Sequence, residues 1–204
     1  MKLLLLLPIA AISLLTSCGS SVNSTPAAKS YSTHEKFVKR ADYKQTYDTY
    51  KNEKALQSVD TSKTKLKVSI ASQRMIVSQD NTVLLDTPCT TGRAGKRTPT
   101  GTFKLYDKIA DKRSNVYGTL YKNGQRVCGG HRYDKCKGVS YDKYVGSPLP
   151  YWQRLTGDGI GLHASGSVKR YPASGGCIRL QPAYAKQIFG MTKSGTTRIT
   201  VTNS

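Results

Sequence analysis

The sequence predicts a mainly β domain, a curved β-sandwich with one short helix late in the chain and a helical segment before it. Leu66, Val68 and Ile70 alternate with polar residues, and a period of two is typical of a strand with one buried face. In "RMIVSQDNTVLLD" two apolar runs flank Asp80 and Asn81, which predicts a hairpin. A chain of 204 residues has room for one such domain with tails.

The remaining strands are predicted further along the chain. "TPTG" has the residues of a type I turn, and Phe103 and Leu105 then resume the alternation. Residues 107–150 show little periodicity, and a loop of that length predicts a functional lid or the wall of a subsite. "GIGLH" predicts a short strand, residues 182–189 a helix that begins with proline, and "TTRITV" a last strand. The sequence contains no internal repeat.

The first residues predict export. Residues 1–17 contain one lysine, an apolar run too short to span a bilayer, and small residues at the end, as in a secretory signal peptide. "LTSC" resembles a bacterial lipobox, which implies cleavage before Cys18 and a lipid on it; an ordinary signal peptide cut elsewhere is the alternative. Because Gly19 follows Cys18, the resemblance implies a lipoprotein of the bacterial cell envelope that faces the periplasm, with the outer membrane favoured.

Two segments are predicted between the signal peptide and the domain at residues 61–204. Residues 18–33 are small and polar, as in a flexible tether. Residues 34–60 are rich in Lys, Glu, Gln and Ala, and Ser32 and Glu35 form a capping-box pattern, which predicts a helix from residue 34 to about residue 57.

Three tyrosines, Tyr43, Tyr47 and Tyr50, would share one face of that helix. Aromatic rings in a row can stack on sugars. At helical spacing they more often pack a helix onto its own domain, and we expect the packing role here.

The net charge restricts the partners. The chain has 32 basic and 12 acidic side chains, a formal charge of +20. An exported basic protein is attracted to anionic envelope polymers and lipid headgroups. Nucleic acid is not an expected partner, because the sequence has no zinc-finger spacing, phosphate loop or basic repeat. A solvated lysine surface accounts for the charge equally well.

The stretch "SGGCIRL" singles out Cys177 among the five cysteines. Gly175 and Gly176 free the backbone to bring N–H groups towards an oxygen, as an oxyanion hole beside a nucleophile requires. Arg179, Lys186 and the following helix N-terminus should favour the thiolate. An even number of cysteines besides Cys18 also allows two disulfides; their positions are 89, 128, 136 and 177.

A nucleophilic thiol needs a base, and His163 is the nearest histidine along the chain, at the end of an apolar strand. His34 lies in the helical segment and His131 in the irregular region, which are poorer contexts. From the residues alone, a Cys/His enzyme and structural roles for both residues remain equally open.

Five blocks extend the pattern beyond one cysteine and one histidine. In chain order they are "KVSIASQRMIV", "TPCTTGRAGKRTPTGTFKL", "RSNVYG", "SPLPYWQRLTGDGIGLHA" and "IGLHASGSVKRYPASGGCIRL". Together they resemble the catalytic domain of the L,D-transpeptidase (YkuD-type) family over residues 64–202. In that family a histidine-led segment runs to Ser-His-Gly-Cys, an apolar residue, and Arg or Asn.

The resemblance implies peptidoglycan chemistry without a metal or other cofactor. Cys177 would attack the amide after the diaminopimelate of a tetrapeptide stem, release D-alanine and hold an acyl-enzyme for a second stem's amine. His163 would be the base, oriented by the Ala164 carbonyl. The N–H groups of Gly176 and Cys177 would form the oxyanion hole.

Ser174 and Arg179 match motif positions that shape the site or bind a carboxylate, and holding the loop and helix in place is the alternative role. Gly175 stands where the family usually has histidine. We therefore expect a roomier, wetter pocket beside Cys177 and a larger share of hydrolysis.

Other functions remain to be weighed. A hydrolase of the same fold, such as an L,D-carboxypeptidase, would use the same residues, and the acceptor could be a stem peptide, an envelope protein or water. A wall-binding lipoprotein without activity is less expected, because it has no reason to keep both His163 and Cys177.

Two further cysteines, Cys128 and Cys136, lie eight residues apart in the lid-like region, and we predict a disulfide between them. Cys89 would then remain a buried thiol in a strand.

Overall fold

The computed structural model describes residues 33–204. The predicted signal peptide, lipidation at Cys18, all but the last residue of the tether, and Ser32 of the capping box lie outside the described residues.

One mixed sheet dominates these residues, and the mainly β prediction is confirmed. Its strand order is β5-β11-β2-β3-β4-β10-β9-β8-β6-β7, and β1 adds to β4. The strands are β1 (Tyr50–Lys51), β2 (Thr64–Ser69), β3 (Arg74–Gln79), β4 (Thr82–Thr90), β5 (Gly101–Lys104), β6 (Lys108–Lys122), β7 (Gln125–Arg132), β8 (Lys143–Arg154), β9 (Gly161–Ala164), β10 (Ile178–Leu180) and β11 (Arg198–Thr202). The helices are α1 (His34–Val38), α2 (Glu53–Leu56), α3 (Pro182–Met191) and one 3₁₀ turn (Tyr133–Cys136). No helix in this part of the chain has the length and hydropathy to cross a membrane.

The strand β4 joins the two halves of the sheet. Along its length it pairs with β3, and at its end Cys89 and Thr90 pair with Leu180 and Arg179. Side chains from both halves and from α3 therefore share one core, and burial of this apolar surface stabilises the fold. Its fully buried members include Leu66, Val68, Met75, Val77, Leu84, Leu85, Leu162, Ile178, Leu180, Ala185, Ile188 and Ile199.

The single helix predicted from residue 34 to about residue 57 is wrong, because two short helices take its place. α1 begins after Thr33, whose side chain accepts a hydrogen bond from the Lys36 N–H. The chain then turns and pairs with β4, with Tyr50 opposite Asp86. "TYDTYK" is rich in the aromatic and β-branched residues that favour strands, and this pairing overrides the helical composition around it.

The tyrosines pack this segment onto the sheet as expected. The Tyr43 hydroxyl donates a hydrogen bond to Asp86 at 2.8 Å, and Tyr50 is buried. Tyr47 stays half exposed. Two of the three rings therefore serve the packing role.

A buried ion pair fastens the segment to the sheet. Arg74 Nε lies 2.6 Å from Asp86 Oδ1, and their side chains are 1% and 0% exposed. The Arg74 guanidinium lies near the rings of both Phe37 and Tyr43, 4.8 and 4.7 Å from their centroids. His34 Nε2 lies 2.8 Å from the other Asp86 oxygen. The carboxylate of Asp86 is thus the common partner of three side chains from different segments.

Residues 107–150 are not an irregular loop, because most of them lie in the long antiparallel strands β6, β7 and β8. Asn123 and Gly124 both have positive φ and form the tight turn between β6 and β7. These two strands, β6 and β7, are called the hairpin below. A disulfide joins Cys128 to Cys136, as predicted. Cys89 is a buried free thiol in β4, also as predicted.

Serine at both Cys128 and Cys136 should lower Tm and make residues 126–142 easier to cleave with protease. The chain-entropy loss for so short a loop corresponds to at most about 2.5 kcal/mol. Differential scanning fluorimetry and limited proteolysis measure the two effects. Dithiothreitol should reproduce them in the parent protein and leave the double variant unchanged. Equal protease sensitivity of the parent and the double variant, each with and without dithiothreitol, would contradict the view that the disulfide stiffens this region.

Candidate active site

The register of two parallel strands brings Cys177 and His163 together. β10 pairs with β9 so that Ile178 lies opposite Leu162 and Arg179 opposite His163. Cys177 directly precedes β10, so the same register places it beside Gly161. Because alternate residues project from the same face of a strand, the side chains of Cys177, Arg179 and His163 emerge on one side of the sheet.

The imidazole of His163 is held in a fixed orientation. It is 7% exposed, and its Nδ1 lies 2.8 Å from the Ala164 carbonyl oxygen. A carbonyl oxygen can only accept, so Nδ1 carries the proton and the Nε2 lone pair remains available. Ala164 thus makes the contact that the resemblance implies, and the Trp152 ring, 6.2 Å away between centroids, covers the imidazole.

Burial sets the resting protonation states of the pair. It raises the pKa of the Cys177 thiol, and a hydrogen bond from the Gly161 N–H and the charge of Arg179 oppose it with smaller effects. Burial likewise lowers the pKa of His163. The positive surroundings predicted to favour the thiolate are therefore outweighed, since Lys186 is exposed and α3 begins only at Pro182. Both shifts favour a neutral thiol and a neutral imidazole in the resting pair.

The rate of acylation of Cys177 should stay high when the pH falls through 6.5, the ordinary pKa of histidine. Burial disfavours the imidazolium, so a His163 that serves as the base would lose this role only below its lowered pKa. The rate of carbapenem acylation, followed by mass spectrometry across pH, measures where the rate falls on the acidic side of the pH profile. This acidic fall in rate should be absent from the residual acylation rate of His163→Ala. A half-maximal rate at or above pH 6.5 would contradict the assignment.

The loop before Cys177 is closed by Ser174. Its hydroxyl is buried, accepts the Gly176 N–H at 3.1 Å and donates to the Cys177 carbonyl oxygen. Gly176 has a φ of +123°, which favours glycine. Of the two N–H groups predicted for an oxyanion hole, that of Gly176 therefore points to Ser174 in this structure, and the Cys177 N–H is the remaining candidate.

A second segment supports this loop, and sequence reasoning missed its role. The Thr98 hydroxyl donates to the Gly176 carbonyl oxygen at 2.7 Å and accepts the Gly92 N–H at 2.9 Å. Arg93 donates to the Ser174 carbonyl oxygen from its backbone N–H and from Nη1, both at 3.1 Å. In the sequence Thr98 signals only a turn, because its partner lies 78 residues away.

Thr98→Val should lower kcat by about tenfold, the loss that follows when buried hydrogen-bonding groups are left unpaired. Valine keeps the shape of threonine but cannot bond Gly176 or Gly92. Steady-state kinetics of the variant give kcat and KM separately, and KM should change little. Thr100→Val is the matched control, because Thr100 is exposed two residues away. Equal losses in both variants would count against a role for the Thr98 hydroxyl.

The space beside Gly175 is filled. A methyl group built on Gly175 would lie 2.8 Å from the Tyr117 hydroxyl oxygen and 3.3 Å from Cζ of the same ring. The roomier, wetter pocket expected here is therefore wrong: a phenol from β6 occupies the space that a side chain at residue 175 would need.

Arg179 is the remaining predicted site residue. It is half-buried beside His163, and its charge acts on the pKa values of both His163 and Cys177. A guanidinium in this position can pair with a substrate carboxylate. Within residues 33–204, no three His, Cys, Asp or Glu side chains form a group that could hold a metal ion.

Solved structures with a similar fold include several L,D-transpeptidases. The Mycobacterium smegmatis enzyme is 22% identical with a TM-score of 0.51 over 69% of this chain and 58% of its own. The Stackebrandtia nassauensis enzyme is 23% identical with a TM-score of 0.50 over 71% and 58%. An L,D-transpeptidase in complex with imipenem is 21% identical with a TM-score of 0.52 over 69% and 59%. This chain thus spans about three fifths of the length of these proteins.

A comparison with curated protein sequences finds no match. The family profile of the L,D-transpeptidase catalytic domain matches residues 63–201, which include the supporting segment around Thr98, His163 and the loop before Cys177. The chain belongs to the L,D-transpeptidase (YkuD) catalytic domain family.

Proposed function

We propose that the protein is an L,D-transpeptidase that joins peptidoglycan stem peptides through an acyl-enzyme on Cys177. The observation that supports this most directly is the β9–β10 register, which directs Cys177 and His163 to one side of the sheet. Nδ1 of His163 is engaged by Ala164, so Nε2 can exchange a proton with substrate groups.

The reaction proceeds in two halves. His163 Nε2 takes the proton of the Cys177 thiol as sulfur attacks the carbonyl carbon of the amide after diaminopimelate. The C–N bond breaks, the imidazolium gives its proton to the leaving amine, and D-alanine departs. The side-chain amine of a second stem then attacks the thioester and loses a proton to His163, which returns it to the departing sulfur. At the end of acylation and again at the end of deacylation, His163 is neutral, so neither half-reaction leaves a net charge on the site.

The substrate carboxylate would meet Arg179. Arg179 lies opposite His163 in the β9–β10 register, and its charge acts on the pKa of His163; a stem peptide presents carboxylates next to the scissile amide. A charge-assisted hydrogen bond there would position the donor stem for attack.

Incubation with disaccharide tetrapeptide tests the activity. The cross-linked dimer and free D-alanine should form with the parent chain and not with Cys177→Ser. Release of D-alanine with tripeptide as the only muropeptide product would replace the proposal with an L,D-carboxypeptidase. An envelope protein as acceptor is tested by adding a lysine-bearing peptide and searching for its adduct with the tripeptide.

We also propose that a lipid on Cys18 anchors the protein in the cell envelope, facing the periplasm and in the outer membrane where one exists. The lipobox-like residues 15–18 and the strongly basic composition support this. Globomycin, which blocks the lipoprotein signal peptidase, should make the unprocessed form accumulate. Cys18→Ser should remove the lipid from the protein. An unlipidated mature protein free in the periplasm would contradict the anchor.

A further inference from the structure

Tyr117 brings the hairpin into contact with the nucleophile loop. It lies in β6, and its phenol reaches residue 175, two positions before Cys177. Three of its atoms, Oη, Cζ and Cε2, would lie 2.8, 3.3 and 3.8 Å from a methyl group on Gly175. Real side chains do not approach to 2.8 Å, so a side chain at residue 175 and this placement of Tyr117 exclude each other.

The hairpin fixes the backbone of Tyr117 and places one side chain, that of Arg132, near its ring. The Tyr117 N–H donates to the Ser114 hydroxyl at 2.9 Å, and Tyr117 lies opposite Arg132 in the β6–β7 register. Arg132 pairs with Asp134 at 3.3 Å, which is the main cause of the raised pKa of Arg132; a smaller interaction with the Tyr117 side chain raises it as well. Its guanidinium carbon lies 6.0 Å from the centroid of the Tyr117 ring.

The disulfide constrains the same contact. Arg132 and Asp134 both fall within the ring that Cys128 and Cys136 close. The covalent link thereby limits how far Arg132 can move from Tyr117. A continuous series of contacts runs from the disulfide through Arg132 and Tyr117 to the backbone beside the nucleophile.

We infer that Tyr117 is a positioning residue that closes the site beside Gly175 and limits the access of water to the acyl-enzyme. This rests on the proposed function, because an acyl-enzyme must exist for its fate to matter. A thioester is lost to whichever nucleophile reaches it first, and a site that excludes water favours the amine acceptor. The phenol thus fills the space that the side chain of the usual motif histidine would need, and it does so from a different strand.

The geometry predicts a specific coupling between the two positions. In the parent protein Gly175→Ala drives a methyl group into the Tyr117 hydroxyl and must displace the Tyr117 ring, the hairpin or the loop of Cys177. Removing only the hydroxyl, with Tyr117→Phe, relieves the 2.8 Å contact and leaves the one at 3.3 Å. Removing the ring, with Tyr117→Ala, leaves open space.

The first experiment measures carbapenem acylation of Cys177 in the Gly175→Ala series. Gly175→Ala should slow acylation by about tenfold in the parent, within the usual range of coupling between contacting residues. The loss should be smaller with Tyr117→Phe and no more than about twofold with Tyr117→Ala, which is near additivity. An equal loss of acylation rate from Gly175→Ala in the parent, in Tyr117→Phe and in Tyr117→Ala would overturn the inference. Because this reaction uses no stem peptide, its outcome is independent of the proposed substrate.

The second experiment measures the fate of the acyl group with disaccharide tetrapeptide. Tyr117→Ala should raise the ratio of tripeptide to cross-linked dimer several-fold, and Tyr117→Phe should stay close to the parent. A merely structural role would lower both products together, so an unchanged ratio in Tyr117→Ala overturns the inference. If no variant and no parent sample makes dimer while the acylation coupling holds, the transpeptidase proposal fails and the contact of Tyr117 with residue 175 stands.

Discussion

Cys177→Ala should abolish transpeptidation, with a loss of more than about a thousandfold, the scale seen when a catalytic nucleophile is removed. The protein should stay folded, because the Cys177 side chain makes only a weak 4.0 Å contact with the Gly159 carbonyl oxygen besides the hydrogen bond from Gly161. Cys177→Ser should be nearly as inactive, since a hydroxyl beside one histidine is a much weaker nucleophile than a thiol.

Cys89 provides an internal control for this experiment. It is a free thiol, but burial raises its pKa to about 12, so it should react with neither carbapenem nor iodoacetamide in the folded protein. Intact-mass analysis of the parent should show one carbapenem adduct, located on Cys177 by peptide mapping. An adduct that persists in Cys177→Ala would refute the nucleophile assignment.

Arg74→Met should cost about 3 kcal/mol in the free energy of unfolding, as breaking a buried ion pair from one side does. The substitution leaves the Asp86 carboxylate fully buried, hydrogen-bonded to His34 and Tyr43 and without its ion pair to Arg74. It also removes the guanidinium that donates to the backbone of residues 43–48. Urea unfolding measures the stability change, and limited proteolysis should find residues 33–50 released from the sheet.

Lys39→Met is the matched control, because Lys39 pairs with Glu35 at the surface, where both side chains are 72% exposed. Exposed pairs contribute about 0–1 kcal/mol, so this variant should unfold almost like the parent. The double variant Arg74→Met, Asp86→Leu should recover part of the loss, since no buried charge remains unpaired. A loss below about 1 kcal/mol in Arg74→Met would contradict the role given to this pair.

Parts of the fold follow from sequence pattern because one face of the element is buried. β2 alternates strictly, with Leu66 and Val68 buried and Lys65 and Lys67 exposed, and its prediction is confirmed. β6, β7 and β8 have partly exposed residues on both faces, so no alternation marks them. The single helix predicted for residues 34–57 was wrong because residues 50–51 pair with β4, and this tertiary pairing outweighs the local helical propensity.

The same distinction holds at the site. Cys177 and His163 could be picked out from local sequence, because two glycines precede one and an apolar strand carries the other. Thr98 and Tyr117 could not, since Thr98 contacts Gly176 across 78 residues and Tyr117 contacts Gly175 across 58 residues. The space beside Gly175 was misjudged for this reason: an absent side chain is visible in the sequence, and the ring that fills its space is not.

The contacts of His34, Tyr43 and Arg74 with Asp86 also determine where a mechanical load would enter the domain. With a lipid on Cys18 as proposed, the 15 residues to Thr33 could reach at most about 50 Å, and any pull along them would arrive first at α1. His34, Tyr43 and Arg74 would pass that force to Asp86, in the strand that both halves of the sheet share. The same strand ends beside the loop of Cys177, because Cys89 and Thr90 pair with Leu180 and Arg179 and the Thr91 carbonyl oxygen accepts the Ser174 N–H. A pull on such an anchor would therefore reach the candidate site through the sheet.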